Sequence, residues 1–84
     1  MASIRRESSG IFMTGQGAIE HVELMSITGA VDIQLIDGTD SSGRTFLDLA
    51  TLSGESRESN RVELYRTGVY MAMTGSGIVS VNFR

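Results

Sequence analysis

The sequence predicts an all-β protein, a small antiparallel β-sandwich or barrel of about six or seven short strands. Three observations carry this. Apolar side chains recur at every second residue, and no window of ten or more residues places them at i, i+3, i+4 and i+7. Clusters of Gly, Ser, Thr, Asn and Asp interrupt the apolar runs roughly every ten residues. The interruptions are too short for βαβ crossovers, which need about a dozen residues or more, so neighbouring strands are expected to be antiparallel.

The elements follow in order. Residues 2–9 (ASIRRESS) are polar apart from Ile4 and read as an arm or a single helical turn, so that residues 1–9 are an N-terminal arm and residues 10–84 one β-sandwich domain. Ile11-Phe12-Met13-Thr14 is a short apolar strand stopped by Gly15-Gln16-Gly17. A strand over 18–27 puts Val22 and Leu24 on one face and His21 and Glu23 on the other. Thr28-Gly29 breaks it. The cleanest alternation follows, with Val31, Ile33 and Leu35 inward and Asp32 and Gln34 outward.

Asp37–Gly43 is a polar loop of turn-forming residues. Arg44–Leu52 alternates again, with Leu47 and Leu49 opposite Phe46, Asp48, Ala50 and Leu52. Residues 53–60 (SGESRESN) are the most hydrophilic stretch and read as an exposed loop. Val62 and Leu64 start another strand, and Thr67-Gly68 marks a bend. The chain closes on a predicted hairpin: Val69–Met73, a turn at Thr74-Gly75-Ser76-Gly77, then Ile78–Phe83 with Val79, Val81 and Phe83 on one face. The segment Gly10–Gly17 echoes Gly68–Met71 followed by Thr74–Gly77, either as two hairpins in similar positions or as two alike strand-and-glycine units.

Composition narrows the function classes. The 84 residues include no cysteine, no proline, no tryptophan and one histidine. That composition argues against disulfide scaffolds and structural zinc sites. All seven basic residues are arginine, against ten acids, for a net charge of -3. Nucleic-acid partners need a surplus of positive charge, so none is expected. No apolar run reaches the roughly 18–20 residues of a membrane-spanning helix, so no membrane partner is expected. Met1–Glu7 has charge but no apolar h-region, so no signal peptide is expected. A domain under about 70–80 residues rarely draws more than ~3–5 kcal/mol from its own core, and this chain is close to that size without a covalent staple; an oligomer or a docking surface is the natural supplement.

No catalytic set emerges. His21 has neither a partner nucleophile nor a G-x-S-x-G elbow, and reads as a surface histidine. Asp37 and Asp40 lack the acid spacing of a calcium loop and read as Asx turns. The pairs Gly15/Gly17 and Gly75/Gly77 precede neither a lysine nor a helix, so they are turns rather than phosphate loops. No enzyme, catalytic residue, metal or cofactor is therefore expected. The arginines are either solvated surface charge or partners for Glu55, Glu58 and Glu63 of a neighbouring subunit; Arg5 and Arg6 lie on the arm, Arg57 and Arg61 by the polar loop, and Arg84 ends the chain. Two apolar runs, Ile11-Phe12-Met13 and Tyr70-Met71-Ala72-Met73, exceed what one buried face needs, and each is explained by burial in the core or against another chain.

The segment Thr67–Val81 (TGVYMAMTGSGIVSV) resembles the closing hairpin of small β-sandwich structural proteins of tailed bacteriophages. Ile33–Gly38 followed by Gly43-Arg44-Thr45 is similar to the middle hairpin of such folds. The resemblance covers roughly residues 30–84 and is one of pattern, without a diagnostic motif. It implies a structural virion protein assembled in the host cytoplasm, a capsid decoration or cement subunit whose partners are the shell or another virion protein and copies of itself, as a homo-oligomer such as a trimer. The docking residues expected on that reading are Ile4, Arg5, Arg6, Ile11, Phe12, Met13, Tyr70, Met71 and Met73. The alternative is a receptor- or carbohydrate-binding module of a fibre or tail, for which Tyr65 and Tyr70 are the candidate stacking rings.

Overall fold

The structure is a computed structural model that describes residues 2–84. Met1, the first residue of the expected arm, lies outside the described residues. Seven strands make up the fold: β1 (Ala2–Arg6), β2 (Gly10–Thr14), β3 (Gly17–Asp37), β4 (Arg44–Thr51), β5 (Ser56–Ser59), β6 (Glu63–Tyr65) and β7 (Gly68–Phe83). Every pairing is antiparallel, and no helix occurs among the described residues. The strands form a single open sheet that does not close into a barrel.

Two long strands are its spine. β3 and β7 pair along almost their whole lengths, from Ile19↔Phe83 to Asp37↔Val69. The shorter strands flank them. β1 pairs with Val79–Phe83 and β2 with Gly68–Met71, both on the edge of β7 away from β3. β4 pairs with Val31–Asp37, β5 with Val22–Met25, and β6 with Gly17–Ile19 on the outer edge of β3.

The ladder turns a corner in its middle. Thr28 faces Ser76 and Asp32 faces Thr74, so three residues of β3 oppose Gly75 alone. A bulge of this kind bends both strands. Gly29 and Gly75 have φ of 71° and 99° there, and a Cβ on Gly75 would lie 2.5 Å from the Ala30 carbonyl oxygen. The bend is sharp. Along a straight strand, the 14 steps from Val69 to Phe83 would span about 46 Å. Yet Phe12, whose strand neighbour Met13 faces Val69, has its ring centroid 6.3 Å from that of Phe83. The two halves of the sheet consequently share one core, which joins Phe12, Ile33, Leu35, Val69 and Met71 to Ile19, Val22, Leu24, Tyr65, Val79, Val81 and Phe83.

This corner corrects the two strand breaks expected from the sequence. Thr28-Gly29 bulges the ladder without ending β3, and Thr74–Gly77 is not a hairpin turn; both lie inside continuous strands. The chain reverses instead at Gly38–Gly43, where β3 and β4 form the expected middle hairpin. Residues 53–60 also differ from expectation, because Ser56–Ser59 form β5. The leading segment contributes β1 to the sheet rather than a helical turn, with Ile4 packed on the core. The two echoing segments pair with each other: Gly10 faces Met71, Ile11 faces Tyr70, and Thr14 faces Gly68.

Candidate functional site

The residues expected to dock gather on one margin of the sheet. Ile4, Arg5 and Arg6 lie on β1, and Ile11, Phe12 and Met13 on β2; these strands follow one another along the same edge of β7. Tyr70, Met71 and Met73 lie on the stretch of β7 that begins beside β2. Strand parity then divides them. Phe12 (6% exposed) and Met71 (fully buried) point into the core, and Ile4, Met13 and Met73 pack against it. Those five are structural in the folded chain. Ile11 is 42% exposed and Arg5 is exposed. Arg6 is half-buried and donates to the Ile11 carbonyl at 3.2 Å, which ties the β1–β2 turn together.

Ile11 faces Tyr70, and Tyr70 faces Ile36 on its other side. All three alternate with core residues, so they form an apolar row across the outer face of the sheet. Ile36 is buried, Tyr70 half-buried and Ile11 open at the edge. Ile36 went unremarked as a surface residue in the sequence because an apolar side chain directly after Leu35 breaks the apolar–polar alternation, although the backbone alternation of β3 continues through it to face Tyr70. Tyr65 is not a surface ring. It is 5% exposed and meets Phe83 edge-on at 6.1 Å, and burial pushes its hydroxyl pKa up.

A second surface lies at the end where β6 meets β7. Two shallow grooves meet at Leu64, which is 72% exposed, and Arg66, with Arg84 on one side and Arg44 on the other. Asp37 fixes this end. Its carboxylate accepts the backbone N–H groups of Thr67 at 2.9 Å and Arg66 at 3.0 Å, which lowers its pKa; Arg44 adds a smaller effect in the same direction. Asp40 accepts both the N–H (2.9 Å) and the hydroxyl of Ser42, which is the expected Asx turn.

Of the glutamates expected to pair with arginines of a neighbouring subunit, Glu63 is paired within the chain, and an ion pair not expected from the sequence joins Arg84 to Glu20. Arg61 reaches Glu63 at 2.9 Å and Arg84 reaches Glu20 at 3.3 Å. His21 lies on the outer face of β3, between the carboxylate of Glu58 at 3.6 Å and the side-chain oxygen of Asn60 at 2.6 Å. Sequence spacing could not have shown this grouping, because Glu58 and Asn60 reach His21 through the pairing of β5 with β3.

No protein-family model matches the chain, and no curated protein sequence matches it.

Proposed function

We propose that this chain is a non-enzymatic structural protein of a virus particle, a decoration or cement subunit that docks on a capsid shell and on copies of itself. On this reading the bent sheet acts as a two-layer sandwich, a rigid plug whose β1–β2 margin meets the partner. The carrying observation is that margin: two edge strands whose outer sides are unpaired among the described residues, and Ile11 exposed beside Tyr70. Unpaired strand edges readily accept another chain, and an apolar side chain beside one adds area to bury. Burial there would add stability that so small a core lacks. The expected partners are proteins, not nucleic acid or membrane, and the expected location is the virion.

Ile11→Glu tests the surface. The side chain is partly exposed, so the fold survives the change while the margin gains a charge. Purified variant and parent are mixed with particles and sedimented. Saturable binding of the parent and its loss in the variant support the reading. Equal sedimentation of both, or of neither, overturns it.

A further inference from the structure

We propose that His21, Glu23 and Glu58 form a binding site for a divalent first-row transition ion such as zinc, and that the ion clips β5 to β3. The site stands independently of the virion reading.

The backbone register creates it. Glu23 and Glu58 face each other directly across the β3–β5 ladder, and His21 lies two residues before Glu23. One ligand atom from each of the three lies within 4.8 Å of the others. Two carboxylates directly opposite on one face repel, so a sheet with this pair is destabilised unless a cation lies between them. Among the described residues, neither glutamate forms an ion pair with an arginine. Across the spine, Glu23 faces Ser80 and His21 faces Asn82, both neutral. Arg5 faces the far side of Ser80 and is two strands away from Glu23, about 10 Å.

The imidazole is already oriented for a metal. The Asn60 side-chain oxygen only accepts, so His21 Nδ1 carries the proton and donates to it at 2.6 Å. That leaves Nε2 as the nitrogen available to a metal, and it lies 3.6 Å from the Glu58 carboxylate. Ligand atoms around tetrahedral zinc are about 3.3 Å apart, given bonds of about 2.0–2.1 Å, so this edge of the site is nearly formed. Glu23 and Glu58 are half-buried and exposed, and their rotamers are free to close the remainder. A second hydrogen bond that fixes the imidazole tautomer is the usual accompaniment of a ligating histidine. One imidazole and two carboxylates suit zinc and its first-row neighbours, with solvent completing the shell.

The ion has a structural task here. β5 is four residues long and hydrophilic, and buries no apolar side chain of its own. Bridging Glu58 to His21 and Glu23 would staple it to the spine, as structural metals do in small domains.

The chain has one histidine and no cysteine, so imidazole ligation reports this site alone. The untagged full chain is titrated with zinc chloride by calorimetry, with His21 followed by NMR and melting followed by circular dichroism. One saturable ion per chain, movement of the His21 resonances and a raised Tm are expected. Glu58→Gln and His21→Ala are expected to weaken binding at least tenfold, and Asn60→Ala about tenfold, while Glu55→Gln binds as the parent does. Any of three results overturns the proposal: no saturation at millimolar zinc, undiminished binding by His21→Ala, or a bound ion that leaves Tm unchanged.

Discussion

Replacing Phe83 with alanine should remove a large fraction of the stability of this protein, although Phe83 is the penultimate residue of the sequence. The ring is 1% exposed and touches Phe12 at 6.3 Å and Tyr65 at 6.1 Å between centroids. Truncating a buried phenylalanine costs about 3–5 kcal/mol. A domain of 84 residues has about 4–13 kcal/mol in total. Urea denaturation gives the loss directly. With a slope of about 1 kcal/mol per molar urea for a protein this small, the midpoint should fall by about 3 M or more. If the alanine variant does not fold, Phe83→Leu replaces it with a smaller expected loss. A double-mutant cycle with Phe12→Leu then isolates the ring contact, with an expected coupling of about 0.5–1.5 kcal/mol. Additivity of the two substitutions would refute the reasoning, because Phe12 and Phe83 meet only if β7 bends at Gly75.

Three further outcomes follow from the geometry. Gly75→Ala should cost about 1–3 kcal/mol in the same denaturation assay, because φ is 99° and a Cβ would press on the Ala30 carbonyl; an unchanged midpoint would place the corner elsewhere. Asp37→Asn should cost about 1–2 kcal/mol at pH 7, since a charged acceptor of two N–H groups is lost. The folded pKa of Asp37 lies below its unfolded value of about 3.9, so its contribution is full above that value and disappears as pH falls through the folded one; the gap between parent and variant should shrink as pH is lowered below about 3.9, and a gap that does not change with pH would contradict the assignment. Thr51→Val should stabilise by about 1 kcal/mol, because Thr51 is buried with an unpartnered hydroxyl; a loss of stability would mean the hydroxyl has a partner.

The alternation of the sequence located much of the core. Val31, Ile33 and Leu35 are buried, with Asp32 and Gln34 outside, and Val79, Val81 and Phe83 follow the same rule. What misled were the glycines. A tight turn and a bent, paired strand both need positive φ and small side chains, so Thr28-Gly29 and Thr74–Gly77 carry the same local signal for either. Long-range pairing of β3 with β7 decides between them, and no local pattern encodes it. β5 was hidden for a related reason: SRES has no apolar alternation, and it is a strand because β3 offers it an edge.

At the candidate surfaces, parity sorted the apolar runs after the fact. Ile11-Phe12-Met13 reads as one patch in sequence, yet the middle residue is core and the first is open. The deletion of residues 1–9, a natural first test of an arm, would remove β1 and the Ile4 packing together, so it reports on folding as much as on docking. Ile11→Glu separates the two.

The composition of particles purified from the source culture tests the proposed role most directly. Quantitative mass spectrometry should find this chain in a fixed proportion to the major shell protein, and the Ile11→Glu form depleted from particles while abundant in the lysate. A chain present in the lysate and missing from the particles would contradict the account.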